Sequence, residues 1–150
     1  MAGSCAEVLF PRTLTEDQWR ELHAFIQSVA GSTEEEGRAF WITGQPFSIY
    51  EPELDEERLR VSPVGWVPQQ AIGFCAGCRG QTGDLILAML VTRVAEMFGG
   101  LIAFGGSVES FTNDPSILTL EGRYAFETGD ILIPNFMYYW VGHPQFKMVN

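Results

Sequence analysis

The chain has 150 residues, 46% of them hydrophobic, and carries 19 acidic against 9 basic side chains for a net charge of −10. That length suits one domain of about 100–200 residues, and a composition this apolar excludes a mainly disordered chain. The acid excess argues against nucleic acid, whose binders present a basic face, and against an anionic membrane surface.

The opening run Met1-Ala2-Gly3-Ser4-Cys5-Ala6-Glu7 has neither the basic nor the apolar region of a signal peptide. The longest apolar stretch, Leu85 to Phe98, contains Arg93 and Glu96 and falls short of the ~20 residues that span a bilayer. Three cysteines, Cys5, Cys75 and Cys78, are an odd number, which points to a reducing compartment. A cytoplasmic protein without a membrane segment is the expectation.

Glu7 to Pro11 is a short apolar run closed by proline and fits a first strand. Thr15-Glu16-Asp17-Gln18 has the form of a capping box, and Trp19, Leu22, Ile26 and Val29 follow at helical spacing up to Gly31. His23 lies on or beside that stripe and fits a packed histidine at the core's edge. Ser32 to Gly37 reads as an acidic loop; Arg38–Thr43 and Phe47–Tyr50 read as strands around the turn Gly44-Gln45-Pro46. Glu51 to Glu57 holds five acids in seven residues. Leu59–Val61 and Val64–Val67, lying around Pro63 and before Pro68, suggest edge or irregular strands. Ala71–Ala76 reads as a better one.

A glycine-rich connection, Cys78 to Gly83, leads to Asp84, a candidate cap for a helix from Leu85 to Phe98 that is apolar on most faces and so largely buried. Gly99-Gly100 stops it, and Leu101–Phe104 is a buried strand. Strand, helix and strand here permit a parallel crossover or an antiparallel neighbour. Beyond, Leu118–Leu120 and Arg123–Glu127 suggest short strands around Glu121-Gly122. Ile131–Pro134 is brief, and Phe136–Val141 is strongly aromatic.

The chemistry-bearing candidates are sparse. Cys75-Ala76-Gly77-Cys78 has the spacing of a redox pair, but five residues separate Cys78 from a helix starting at Asp84, so the dipole that would activate its thiol is misplaced. Two free structural thiols is the plainer reading. Two distant histidines and three cysteines do not make a zinc set. The 77–83 loop lacks the ending of a phosphate-binding loop. Cys78, His143 and Asp84 could be named as nucleophile, base and orienter, though nothing in their spacing makes them meet. No cofactor and no metal are expected. Trp41, Trp66, Tyr138, Tyr139 and Trp140 suit a core or a protein interface better than a ligand cage.

Trp66-Val67-Pro68, Gly73-Phe74-Cys75-Ala76-Gly77-Cys78, Asp84 before an apolar helix, Gly99-Gly100-Leu101-Ile102-Ala103-Phe104-Gly105-Gly106 and His143-Pro144-Gln145-Phe146 form an ordered pattern. It resembles a small bacterial family of immunity proteins encoded beside polymorphic or secreted toxins. The resemblance implies that Trp66, Gly100 and Phe104 pack the scaffold, that Gly105 and Gly106 turn the backbone, and that none of these residues is catalytic. It covers residues 64–106 and the last dozen. The acids lie mostly elsewhere: residues 1–60 carry 12 of them against 5 bases.

The sequence therefore predicts a single α+β domain with a mixed or antiparallel sheet of five to seven strands and two main helices, about 15–30 and 84–98. The function expected is occlusion of a cognate toxin, without catalysis. Glu51, Glu53, Asp55, Glu56 and Glu57, with Glu34, Glu35 and Glu36, would face the toxin's basic residues. The alternative is a thiol-dependent redox enzyme using Cys75 and Cys78.

Overall fold

The computed structural model describes residues 3–34, 37–54 and 65–150. Eight strands form one antiparallel sheet: β1 (Cys5–Phe10), β2 (Ser32–Thr33), β3 (Ala39–Ile42), β4 (Gln45–Tyr50), β5 (Gln70–Ala76), β6 (Leu101–Ala103), β7 (Arg123–Phe126) and β8 (Gly129–Leu132). Their order across the sheet is β2-β3-β4-β5-β1-β6-β8-β7. Among the described residues, four helices, α1 (Glu16–Val29), α2 (Gln81–Phe98), α3 (Pro115–Leu118) and α4 (Pro134–Val141), and a 3-10 turn at Val108–Ser110 complete an α+β fold.

Burial alternates along β4 as a half-covered sheet requires, whereas β5 is buried on both faces from Ala71 to Phe74. Ala6, Val8 and Phe10 of β1, Ile72, Phe74 and Ala76 of β5, and Phe47 and Ile49 of β4 belong to one core with Leu22 and Ile26 of α1 and Leu87, Val91 and Val94 of α2. Each of these side chains larger than alanine contributes about 1.5–3 kcal/mol by leaving water. α4 closes the same core with Phe136, Met137 and Trp140, all fully buried. The indole N–H of Trp140 donates to the Lys147 carbonyl at 3.0 Å, so its polar atom is not stranded.

β5 and β6 both pair antiparallel with β1, which lies between them. They are thus parallel to each other but never touch, and the β5–α2–β6 crossover is split by the first strand of the chain. On the reverse of the sheet, the Tyr50 ring of β4 lies across Gly73 of β5, where any side chain would overlap it. The Tyr50 hydroxyl sits 3.4 Å from the Glu7 carboxylate on β1.

The capping box forms as predicted: Thr15 Oγ1 accepts from the Gln18 N–H at 3.1 Å, and the Gln18 side chain accepts from the Thr15 N–H at 2.9 Å. α1 ends one residue early, on Ala30. His23 is exposed rather than packed, stacked beside Trp19 with ring centres 6.0 Å apart. α2 begins at Gln81 with Gly80 as its N-cap, and Asp84 caps nothing. Instead Asp84 is buried and accepts from the Ser4 hydroxyl at 2.6 Å and the Met148 N–H at 3.1 Å. The helix is buried on three sides, but Leu85 and Met89 are exposed. The strand expected at Leu118–Leu120 does not form: residues 115–118 are α3, closed by Thr119, with Pro115 at its start and the Asp114 carboxylate accepting from the Ser116 N–H. The expected edge strands around Pro63 lie largely outside the described residues.

At the far edge, the buried Asp130 carboxylate accepts from Arg123 Nη1 at 3.2 Å and from the Val108 N–H at 2.9 Å. Arg123 also reaches Glu109 and the Leu118 carbonyl. This pair fixes the β7–β8 hairpin to the turn after Gly105-Gly106.

Candidate functional site

Of the acids singled out by sequence, the described ones, Glu34, Glu51 and Glu53, fall at one end of the sheet. β4 runs to Tyr50 beside Gly73 of β5, and its Ser48 pairs with Ala39 at the start of β3. The β2–β3 connection and the segment leaving β4 therefore emerge from the same end. Glu34 stands in that connection, exposed, and its carboxylate accepts from the Ala39 N–H at 3.1 Å. Glu51 and Glu53 follow β4 and are exposed. Glu35, Glu36, Asp55, Glu56 and Glu57 lie outside the described residues.

A third acidic segment, not singled out as part of this surface from sequence, joins them. β1 ends at Phe10 opposite Gln70, so α1 starts at this same end with Glu16 and Asp17 in its first turn. The side chain of Gln70 ties the segments together. Its carbonyl oxygen accepts from the Leu14 N–H at 2.7 Å, and its amide lies 3.4 Å from the Glu51 carboxylate. One strand residue thus fixes the approach to α1 and the exit of β4 side by side. The signal that would have found Glu16 and Asp17 is the β1–β5 pairing, which no local pattern in the sequence reveals. Bases are present but diluted: Arg12 and Arg38 are exposed, and Arg20 is engaged by Asp17.

Of the groups that could do covalent chemistry, Cys75, His143 and Asp84 have structural partners. Cys75 is bonded to Cys5 across the β1–β5 pair, with Cα atoms 4.1 Å apart, while Cys78 is free and exposed. The reading of two free structural thiols needs correcting: Cys75 is bonded, to Cys5 and not to Cys78, while Cys78 is free. The reason is the strand register, which sets Cys75 opposite Cys5.

His143 Nδ1 accepts from the Gln145 N–H at 3.0 Å, so its proton sits on Nε2, 2.9 Å from Asp114 Oδ2. Both ring nitrogens are engaged, and a general base needs one open. Gln145 binds the Thr112 hydroxyl, and Phe146 packs edge-on to Trp140. The His-Pro-Gln-Phe segment is a clasp that holds the chain's last turn against residues 112–114. It also explains the Asp114 carboxyl, which the His143 hydrogen bond and then the Ser116 N–H hold below its ordinary 3.8. His143 pairs with Asp114, and Asp84 with Ser4 and Met148, so the residues named as a triad have separate partners.

The glycines of the ordered pattern are structural. A side chain at Gly100 would stand 2.7 Å from the Leu9 carbonyl oxygen, and Gly105 has φ +83°. Phe104 is fully buried. Among the described residues no group of three or more His, Cys, Asp or Glu could hold a metal ion, and no helix is long and apolar enough to cross a membrane.

Comparison with curated proteins and with solved structures gave no match. Residues 2–150 match the model of a family described only as of unknown function, DUF6368. A match over nearly every residue makes the chain a member of that family.

Proposed function

We propose that this protein is an immunity protein that binds a cognate bacterial toxin and blocks it by occlusion, without chemistry of its own. The observation that carries the reading is the Gln70 side chain, which holds the Glu51 segment beside the acidic start of α1. Separate acidic stretches become one field at one end of the sheet. Toxins that act on nucleic acids or nucleotides need basic active faces, and an acidic partner is steered onto them and seals them. The engagement of Cys75, His143, Asp84 and Asp130 in structural bonds supports binding over catalysis. On this reading the protein works in the cytoplasm of the toxin's producer.

The test is to look for a toxin-like C-terminal domain encoded next to this gene and to co-express it with this protein; a neighbourhood of biosynthetic genes instead would overturn the reading. Co-purification and protection of the host are expected. Glu51→Lys with Glu53→Lys is expected to slow association about tenfold at low salt, with the difference shrinking as salt rises. Unchanged association would remove this end of the sheet as the interface. Turnover of a substrate by the purified chain alone would overturn the reading.

A further inference from the structure

All three cysteines of the chain meet at one corner of the fold. Cys5 opens β1 opposite Cys75 of β5, and the two are bonded. Both are half-buried, and their neighbours Ser4, Ala6, Phe74 and Ala76 are buried. β5 ends at Ala76, and Cys78 stands in the turn that follows, free and exposed. That turn is packed on the residues just before and after Cys5's start of β1. The Gly3 N–H donates to the Ala76 carbonyl at 2.9 Å and the Ala76 N–H to the Ser4 carbonyl at 2.8 Å. A side chain at Gly3 would overlap the Cys78 carbonyl oxygen. The backbone therefore ties a free thiol to the place where the bonded pair lies. Cys75 and Cys78 also have the two-residue separation over which one thiol closes onto another.

We infer that Cys78 is the thiol through which the Cys5–Cys75 bond is made and broken in the folded protein, by exchange with a small thiol or disulfide of the glutathione class. Exchange needs a thiolate to reach a disulfide sulfur, so access decides which thiol reacts first. In the reduced chain the exposed Cys78 thiolate attacks one sulfur of the small disulfide. That S–S bond breaks, one half leaves as a thiolate and takes a proton, and the other half stays on Cys78. The Cys75 thiolate then attacks the Cys78 sulfur and expels the second half. Finally the Cys5 thiolate attacks the Cys75 sulfur, and Cys78 leaves and is reprotonated. Two protein thiols have given up two electrons and two protons, and the small disulfide has become two thiols. Reduction runs the same steps in reverse: Cys78 attacks Cys75 and frees Cys5, and the outside thiol then opens the Cys75–Cys78 bond. The β1–β5 register keeps Cys5 opposite Cys75, so the bond comes to rest there and Cys78 is returned free. An accessible thiol beside a resolving partner is the arrangement of redox-sensing cysteines. The inference does not depend on toxin binding.

Reduced full-length protein mixed with oxidised glutathione, trapped by rapid alkylation at intervals and read by peptide mass, tests this. Early samples are expected to carry glutathione on Cys78, and later ones the Cys5–Cys75 bond. Cys78→Ser is expected to form the bond at least ~10-fold more slowly, because the reagent must then reach a half-buried sulfur. Its loss of the bond in reduced glutathione should slow by a similar factor. The fraction oxidised at equilibrium should stay the same, since Cys78 ends each cycle unchanged; a merely structural role would move it. Position 78 is exposed, and an unchanged circular dichroism spectrum shows that the variant folds. Equal rates in the two proteins overturn the inference, and so does glutathione found first on Cys5 or Cys75 of the wild type.

Discussion

The Ser4 hydroxyl donates to the Asp84 carboxylate at 2.6 Å across 80 residues of sequence. The other carboxylate oxygen takes the Met148 N–H at 3.1 Å, and the Asn150 side chain lies 2.8 Å from the same Ser4 hydroxyl. A hydroxyl has one proton to give, so Asn150 must turn its amide toward it. One buried acid in the first turn of α2 thus holds both ends of the chain, beside the positive end of the helix dipole.

Asp84→Ala should therefore cost more than a surface change. It leaves the Ser4 hydroxyl and the Met148 N–H buried without their acceptor, a loss of about 2–4 kcal/mol for two groups. Asp84→Asn keeps one acceptor oxygen and should cost less. Urea denaturation of the three proteins checks the order. Equal midpoints for wild type and Asp84→Ala would show that the ends are held by something else.

Gly73 offers a second test on the opposite face. The Tyr50 ring occupies the space above its Cα, so Gly73→Ala must push the ring aside, a strain of about 1–3 kcal/mol. Tyr50→Ala removes the obstacle. The double variant should then be less destabilised than the sum of the two single changes, because residues in contact do not add. Strict additivity would show that Gly73 is required for another reason.

These two contacts also mark how far the sequence is legible. Local signals suffice where the structure is local: the Thr15–Gln18 cap, Leu22 and Ile26 of the α1 stripe and the Gly99-Gly100 stop stand where expected, while Val29 at the stripe's end is exposed. The α+β class and the strands at Ala71–Ala76 and Leu101–Phe104 follow from the same periodicities. Asp84 misled because acids before apolar helices usually cap them, whereas here a tertiary partner 80 residues away claims the carboxylate and α2 starts three residues before it. α4 was not predicted as a helix because its residues are aromatic on all sides. The useful signs were Pro134 at its first turn and the spacing of Phe136, Met137 and Trp140. Cys75 was read with Cys78 because they are near in sequence; the register that gives it Cys5 is a long-range fact. The acids of the candidate surface were legible as residues, but their common end depends on strand pairing.

Asp114 makes the acid limb of stability predictable in sign. Its folded carboxyl lies below 3.8, held there first by His143 and then by the Ser116 N–H. A depressed carboxylate stabilises the fold above its unfolded value, and the contribution fades as pH falls below 3.8 toward the folded value. Asp114→Asn keeps a capping oxygen for α3 but removes the charge. The variant should be less stable than wild type at pH 7, and the gap should close on acidification through this window. Urea midpoints measured at pH 7, 5 and 3 decide it; a gap that is constant with pH would mean that the carboxylate's charge contributes nothing.

The Cys5–Cys75 bond closes a loop 70 residues in sequence separation, for which chain entropy gives about 4 kcal/mol of stabilisation. The bond joins strands that already pair over six positions, and β1 is flanked by β6 on its other side. Reduction should therefore lower stability by a few kcal/mol at most without dissolving the fold. Alkylation of the oxidised, denatured protein should label Cys78 alone, and reduction should add Cys5 and Cys75. Cys5→Ser should match the reduced wild type in denaturant midpoint. Label on Cys5 in the oxidised protein, with a Cys75–Cys78 peptide by mass spectrometry, would instead assign the bond to the sequence-adjacent pair and favour the redox reading. Loss of the native circular dichroism on reduction would show that the covalent link, rather than the sheet, holds β1 in place.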